Sequence, residues 1–240
     1  MRAGEADILL KGAVSTAVLI HAVLDRDTGL RTGRLLSDVF VIDYSGRGPG
    51  QLVGITDGGI NPTPDVQQKE AILRNAVQVF HALGIEEPRV AVLSGTEKPT
   101  PRLQGSMDAA RLAELYEAGE IRECVVDGPL AMDMALSTEA AALKGIVSPV
   151  AGRADILLFP TLEAANITAK AIQYWTSQDP GHVVVGAAAP CSSRHGPRAS
   201  VPASTPSHSG RCSPSATEKS NYPSASPPSF PWLAPALTAC

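Results

Sequence analysis

The chain has 240 residues, enough for one large domain or two small ones. Its residues are 44% hydrophobic, 18% charged and 4% aromatic, and the formal net charge is −4, so the chain as a whole does not attract nucleic acid or an anionic membrane surface. The four cysteines and five histidines match no metal-binding or redox spacing, and no apolar run is long enough to span a membrane. We therefore expect no metal, no nucleic-acid partner and no membrane partner, and the lack of a signal-peptide pattern predicts a cytoplasmic location.

The first predicted elements are a short strand and a capped helix. Apolar residues before Lys11 and Gly12 favour the strand, and Ser15 or Thr16 can cap the helix that follows over residues 17–24. This order suits an anion-binding turn, because free N–H groups and the helix dipole favour negative charge at the start of a helix. A capped helix without a ligand explains the pattern equally well.

Two arginines precede the next predicted strand. Arg31 and Arg34 stand three residues apart before the alternating stretch Ser37–Asp43, so a helical turn would point both guanidinium groups the same way. Paired guanidinium groups suit phosphate, whose oxygens accept paired hydrogen bonds. Solvated surface arginines are the alternative.

A glycine-rich connection leads to a predicted strand over Gln51–Thr56, which ends in a turn from Asp57 to Asn61. The two glycines in this turn allow the backbone to approach a ligand closely, although they are also typical of ordinary turns. Periodicity then predicts three further elements: a helix over Asp65–Leu83, a strand over Arg89–Leu93 and a helix over Ser106–Ala118.

The clearest stretch is a β-α-β unit over Val125–Asn166. Its first strand ends at Asp127, an Ala-rich helical stretch follows, and a second strand covers Ala154–Phe159. Because ligands bind at strand ends in open α/β sheets, Asp127, Ser148 and Asn166 are placed to contact a substrate, although each also suits a turn cap.

A predicted helix over Ile167–Thr176 and a strand over His182–Ala187 continue the alternation. Repeated units of this kind predict an α/β fold with a mainly parallel sheet and helices on both faces. From Cys191 onward the chain is rich in Ser and Pro and shows no periodicity. We therefore divide the chain into an α/β region, residues 1–190, and a tail, residues 191–240, that we expect to be disordered.

Several segments carry a family resemblance: DGPLAMD from Asp127, KGIVSPVAGRADILL from Lys144 and LEAAN up to Asn166. Together with the upstream RTGR and TDGGIN stretches, they cover nearly all of residues 6–190 and resemble phosphate acetyltransferases and phosphate butyryltransferases. The resemblance is closest to the transferase part of bifunctional enoyl-CoA hydratase/phosphate acetyltransferases. Compared with this family, the chain is expected to be short at its N-terminus and to carry an unrelated C-terminal tail.

The resemblance implies a phosphate acyltransferase that converts acetyl-CoA or butyryl-CoA and phosphate to acyl phosphate and CoA. It implies no cofactor besides the CoA thioester substrate, a homodimer, and a two-domain fold like that of isocitrate dehydrogenase, here partly truncated. With the residue patterns above, it makes ten residues candidates for substrate binding: Lys11, Gly12, Thr16, Arg31, Arg34, Asp57, Asn61, Asp127, Ser148 and Asn166.

The catalytic residues stay unassigned at this point. In the family, a Ser-Arg pair with a nearby Asp is thought to stabilise the transition state and to deprotonate the CoA thiol. The chain contains Ser193 and Arg194, but the residues around them differ from the family segment, so the roles are not transferred.

Two other functions remain open. The unrelated tail and the short start favour a catalytically inactive fragment that retains at most CoA binding. A decarboxylating dehydrogenase on a similar fold would need paired aspartates for a divalent metal, but Asp127 and Asp133 lie six residues apart and would not share a helical face.

Overall fold

The fold is taken from a computed structural model that describes residues 6–12, 14–44, 46, 48, 50–176 and 178–193. In these residues the strands are β1 (Leu9–Lys11), β2 (Ser37–Asp43), β3 (Leu52–Thr56), β4 (Arg89–Leu93), β5 (Val125–Leu130), β6 (Ile156–Leu158), β7 (Gly181–Val185) and β8 (Cys191–Ser193). The helices are α1 (Thr16–Val23), α2 (Val66–Ala82), α3 (Gln104–Glu117), α4 (Met132–Leu136), α5 (Thr138–Leu143) and α6 (Leu162–Thr176). Residues 194–240, which hold most of the predicted tail, lie outside the described residues.

The eight strands form one sheet in the order β1-β8-β7-β2-β3-β6-β4-β5. The four strands β3, β6, β4 and β5 are parallel neighbours, and β1 is parallel to β8. The other three pairings, β2 with β3, β2 with β7 and β7 with β8, are antiparallel. The predicted α/β class with a mainly parallel sheet is thus confirmed, with an antiparallel section between its two parallel parts.

Helices cover both faces of the sheet, as predicted. The first face packs against α2 and α3, because alternate strand residues such as Val90 and Ile156 join Phe80 and Leu112 in one buried cluster. The second face packs against α4 and α6, where Leu157 belongs to a separate cluster. On this second face α1 covers the sheet near β7 and β8, through a third and smaller cluster.

Local sequence signals explain where several helices begin and end. The side chain of Ser15 accepts a hydrogen bond from the N–H of Val18 at the start of α1. Asp65 and Gln68 form a reciprocal capping box at the start of α2, and Gly84 follows the end of that helix with φ of +87°. These boundaries lie within one or two residues of the predicted ones.

Three boundaries differ from the sequence prediction. Strand β5 continues to Leu130, so Asp127 lies inside the strand instead of at its end. Helix α6 begins at Leu162, five residues earlier than predicted, so Asn166 lies within the helix. The Ala-rich stretch forms two short helices, α4 and α5, because the backbone at Ser137 is extended.

A fourth difference concerns the start of the tail. Cys191–Ser193 form β8, which pairs with β7 on one side and with β1 on the other. Three residues without a periodic pattern join the sheet because both of their neighbours offer free strand edges. This pairing depends on tertiary contacts that local sequence does not reveal.

The chain changes direction between β3 and β6, which are adjacent in the sheet. The connection after β3 runs through α2 on the first face, whereas the connection after β6 runs through α6 on the second face. The two strands end together, since the N–H of Phe159 donates to the carbonyl of Thr56 over 2.9 Å. Such a topological switch point leaves a crevice at the carboxyl ends of the strands, where ligands of open α/β sheets bind.

Among the described helices, none combines the length and the apolar character needed to cross a membrane.

Packing between β3 and α2 generates a first prediction. A Cβ atom added at Gly54 would lie 2.6 Å from a ring carbon of the buried Phe80, so we expect Gly54→Ala to destabilise the fold by about 1–3 kcal/mol through overpacking. Urea denaturation measures this difference. Gly95→Ala is the matched control, because nothing lies within 4 Å of its Cβ position. Equal stability of the two variants would contradict the described packing.

Candidate functional site

The turn from Asp57 to Asn61 closes the carboxyl end of β3 at the switch point. One carboxylate oxygen of Asp57 accepts the N–H groups of Gly59 and Ile60 at 3.0 and 3.1 Å. The other accepts the backbone N–H of Asn61 at 3.1 Å and also its side-chain amide. The predicted candidates Asp57 and Asn61 are therefore brought together, but these contacts shape the turn itself.

A second carboxylate, that of Asp38 on β2, lies beneath this turn. Its Oδ1 accepts the N–H of Gly58 over 2.7 Å, and the carboxyl group is hydrogen-bonded to that of Asp57. A Cβ atom at Gly59 would lie 2.3 Å from Oδ2 of Asp38, which explains the glycine at this position. Asp38 and Asp57 are 1% and 3% exposed, so the pair is shielded from water.

His182 on β7 completes a buried cluster with the two carboxyl groups. Its Nε2 lies 3.0 Å from Oδ2 of Asp38, and its ring packs against Phe40 with 4.5 Å between ring centroids. The three elements β2, β3 and β7 therefore meet in one hydrogen-bonded network. We call Asp38, Asp57 and His182 the buried acid cluster.

Burial determines the protonation of this cluster. Burial raises the pKa of Asp38, and burial together with the hydrogen bond and the charge of Asp38 raises the pKa of Asp57 to about 7. Burial, with the positive charges of Lys170 and Lys11, lowers the pKa of His182 to about 4. Near neutral pH the imidazole is thus uncharged, and the two carboxyl groups titrate as a coupled pair. The contact of His182 with Asp38 is a hydrogen bond rather than an ion pair.

Helix α6 is attached to the turn by Asn166, whose side-chain amide donates to the carbonyl of Gly58 over 2.7 Å. One helical turn later Lys170 lies on the same side of α6, where its Nζ contacts Oε1 of the buried Gln173 at 3.3 Å. The positive charge of Lys170 contributes to the lowered pKa of His182. The predicted candidate Asn166 is therefore part of the switch-point crevice.

Arg31 and Arg34 lie near the same edge of the sheet. The predicted helical turn is wrong, because the segment is irregular and Gly33 adopts φ of +84°. Both arginines nevertheless line one recess, together with Gly186 at the end of β7. Arg31 is exposed, whereas Nη2 of Arg34 donates to Oδ1 of Asn75 over 2.5 Å. Of these two arginines, Arg31 is the one whose guanidinium group makes no hydrogen bond to another described residue.

Lys11, Gly12 and Thr16 lie at the end of β1 and the start of α1. The Nζ of Lys11 donates to the carbonyl of Val14 over 3.0 Å, and Thr16 is the first residue of the helix. Gly12 is exposed and has open space around its Cα. In sheet register Lys11 pairs with Ser193 of β8, so Lys11 lies two strands away from β7 and His182.

Asp127 and Ser148 lie away from this site. Asp127 is on β5, seven strands from β1, so about 34 Å separates it from Lys11. Its Oδ1 accepts the N–H of the neighbouring Gly128. Ser148 accepts the N–H groups of Val150 and Ala151 at 3.1 Å, in a turn that leads to the amino end of β6. These two residues and Lys11 therefore cannot contact one small anion.

Sequence analysis did not identify Asp38, His182 or Lys170. A usable signal exists for Asp38, because a charged residue inside the apolar stretch SDVFVID is unusual for a buried strand. His182 and Lys170 give no such signal, since each follows an ordinary amphipathic pattern. The contact of His182 with Asp38 depends on β7 lying beside β2 in the sheet.

No group of three or more His, Cys, Asp or Glu side chains within the described part of the chain is placed to hold a metal ion. The expected absence of a cofactor stays a prediction.

Most of the chain is similar to proteins of known function. The family described as "Phosphate acetyl/butaryl transferase" matches residues 1–195, a span that includes Ser193 and Arg194. A phosphate butyryltransferase of Clostridium beijerinckii is 44% identical over 187 residues, covering 78% of this chain and 61% of that protein. A phosphate acetyltransferase of Rhizobium meliloti is 44% identical over 190 residues, covering 79% of this chain and 60% of that protein. The chain thus spans about three-fifths of the length of these relatives.

Solved structures show the same similarity. A branched-chain phosphotransacylase from Enterococcus faecalis V583 superposes with a TM-score of 0.72 at 31% identity, covering 80% of this chain and 68% of that one. A phosphotransacetylase from Staphylococcus aureus gives a TM-score of 0.65 at 26% identity, covering 80% and 58%.

The buried acid cluster generates a prediction about pH. The raised pKa of Asp57 contributes stability that is present below about pH 3.8 and is lost as the pH rises through about 7. The lowered pKa of His182 contributes stability that is present above pH 6.5 and is lost as the pH falls through about 4. The two effects oppose each other between pH 4 and 6.5.

His182→Gln keeps a hydrogen-bond donor and removes the titration of the imidazole. Relative to the wild type, we expect its free energy of unfolding to fall as the pH rises from 4 to 6.5, by up to about 1.4 kcal/mol per pH unit. Urea denaturation at a series of pH values measures this difference. His81→Gln is the matched control, because the ring of His81 is hydrogen-bonded to the backbone carbonyl of Glu123 and is not part of the buried acid cluster. A difference that is independent of pH for His182→Gln would contradict the neutral imidazole.

Proposed function

The chain belongs to the phosphate acetyl/butyryltransferase family, and we propose that it transfers an acyl group between coenzyme A and inorganic phosphate. This proposal is supported mainly by the family match over residues 1–195, together with 44% identity both to a phosphate butyryltransferase and to a phosphate acetyltransferase. Because relatives with both activities are equally similar, we propose acetyl-CoA and butyryl-CoA as the substrates to test.

The reaction places definite demands on the site. A phosphate oxygen attacks the thioester carbonyl, the new C–O bond forms, the C–S bond breaks, and the CoA thiolate leaves and takes up a proton. In the reverse direction a base removes that proton from the thiol. The site therefore needs cationic groups for phosphate, hydrogen-bond donors for the carbonyl oxyanion, and a group that exchanges a proton with sulfur.

The site residues divide into two proposed roles. Asp57 and Asn61 position the turn, since their hydrogen bonds are made within it or to the adjacent backbone. Asn166 attaches α6 to this turn, while Arg31 and Lys11 offer positive charge to anionic substrate groups. Support for these roles comes from their place around the switch point and along the second face of the sheet.

We further propose that Ser193 and Arg194 are the Ser-Arg pair of the family. Two observations support the assignment. The family match continues to residue 195, and Ser193 ends β8 in sheet register with Lys11. Arg194 lies outside the described residues.

By analogy with the family we also propose a homodimer in the cytoplasm that uses no cofactor besides the CoA thioester.

Thiol release tests the proposed function directly. The full 240-residue chain is expected to release free CoA from acetyl-CoA or butyryl-CoA when phosphate is present, and not when it is absent. Ser193→Ala is expected to lower kcat by about 100-fold or more, because it removes a donor to the developing oxyanion.

Ser192→Ala is the matched control in the same strand. Its hydroxyl donates to the backbone carbonyl of His182 over 2.9 Å, so its loss affects stability more than turnover. Equal loss of kcat in both variants would overturn the role of Ser193. An absence of thiol release by the wild type with either substrate would overturn the acyltransferase and favour an inactive fragment.

A further inference from the structure

Asn75 is a polar residue on the buried side of α2. It is 1% exposed, and its neighbours on the helix, Leu73 and Ala76, belong to the first and largest core cluster. A buried amide is costly unless its hydrogen bonds are made. The partners of Asn75 therefore indicate why an amide occupies a position that an apolar side chain would otherwise fill.

These partners lie in and beside the segment that carries the two arginines, residues 30–36, which we call the arginine loop. Oδ1 of Asn75 accepts a hydrogen bond from Nη2 of Arg34 over 2.5 Å. Its Nδ2 donates to the backbone carbonyl of Leu35 over 2.9 Å and to Oγ of Ser37, at the start of β2, over 2.8 Å. One buried side chain thus contacts both the backbone of the loop and a guanidinium group at its surface.

Side chains at two other points attach the arginine loop to the rest of the fold. Oγ1 of Thr32 donates to the carbonyl of Gly186 after β7, and the side-chain amide of Asn61 donates to the carbonyl of Leu36 over 2.8 Å. Because the loop is irregular, neither a helix nor a strand fixes the position of its arginines. Of these three attachments, the one made by Asn75 is the one that reaches an arginine.

The acceptor that holds Arg34 is uncharged. Arg74, in contrast, is bound by the carboxylate of Glu70 at 2.7 Å, which compensates its charge. A guanidinium group has five N–H donors, and the bond to Asn75 is the one that Arg34 makes with a described residue. Asn75 therefore fixes this group without compensating its charge, beside the recess that it lines together with Arg31.

We propose that Asn75 is a positioning residue, which holds Arg34 at this recess so that the guanidinium group meets an anionic substrate. Asn75 itself touches no substrate and acts through Arg34. The inference rests on the proposed acyl-transfer function, and it deepens that function by linking substrate binding to a buried residue of α2.

Steady-state thiol release by the full chain tests this role. KM for phosphate and KM for acetyl-CoA or butyryl-CoA are measured for Asn75→Ala, for Arg34→Ala and for the double variant. We expect Asn75→Ala to raise at least one KM about tenfold, the typical effect of losing a hydrogen bond to a charged group, and to change kcat less. In the Arg34→Ala background the same substitution is expected to change KM by less than about twofold, because the contact through which it acts is already absent.

Urea denaturation separates positioning from a purely structural role. Asn75→Ala is expected to lower stability in both backgrounds, because the carbonyl of Leu35 loses its donor in each. Ser106→Ala is the matched control. Its buried hydroxyl donates to the carbonyl of Leu103 over 2.7 Å at the start of α3, so we expect lower stability with unchanged KM values.

Asn75→Asp is a second variant that keeps the size of the side chain, in case Asn75→Ala does not fold. Its carboxylate would pair with the guanidinium group of Arg34 and compensate the positive charge. We therefore expect KM to rise in this variant as well.

Three results would overturn the positioning role alone, since the wild type would still release thiol. They are an equal effect of Asn75→Ala on KM in both backgrounds, unchanged KM values in the Asn75 variants, and a rise of KM in Ser106→Ala equal to that in Asn75→Ala.

Isothermal titration calorimetry with CoA and with inorganic phosphate gives a readout that does not depend on turnover. Binding that Asn75→Ala weakens only when Arg34 is present, without thiol release by the wild type, would overturn the acyltransferase alone. An absence of both binding and thiol release in the wild type would overturn both proposals.

Discussion

The arrangement of the site depends on the buried carboxylate of Asp38. It accepts a hydrogen bond from the N–H of Gly58 and is hydrogen-bonded to the carboxyl group of Asp57 and to the ring of His182. One side chain therefore joins β2, the turn after β3, and β7. A carboxylate in this position is costly to bury unless its hydrogen bonds are made and its charge is shared. The cluster meets this condition because the turn supplies N–H donors and the coupled carboxyl groups titrate together.

Topology determines why this cluster lies beside a ligand crevice. Strands β3 and β6 are neighbours, but their following helices cover opposite faces of the sheet, so a crevice opens where both strands end. Asn166 closes one side of it by bonding α6 to the turn. The antiparallel strands β2 and β7 extend the second face toward β8 and β1. Strands β8 and β1 run antiparallel to β3, so β1 ends toward the edge of the sheet opposite to the turn.

The residues around the turn differ in whether their polar atoms are already engaged in hydrogen bonds within the protein. The polar atoms of Asp57 and Asn61 form hydrogen bonds within the turn and to the adjacent backbone, so these residues shape the site. Lys170, Lys11 and Arg31 form no ion pair with a carboxylate of the described residues. The family relationship and this distribution of charge both favour acyl transfer to phosphate, since each step of that reaction involves an anion.

Sequence by itself determined the α/β class, most helix and strand boundaries and the family, because these depend on local periodicity, caps such as Asp65, and ordered motifs. It also singled out Asp57, Asn61 and Asn166, which the fold brings together. Only the tertiary structure decided that Asp127 lies at the far edge of the sheet, that Cys191–Ser193 form a strand, and that Asp38 and His182 form a cluster with the turn. These facts depend on strand order and register between segments more than 100 residues apart, as in the contact of His182 with Asp38, and no local pattern encodes such pairings.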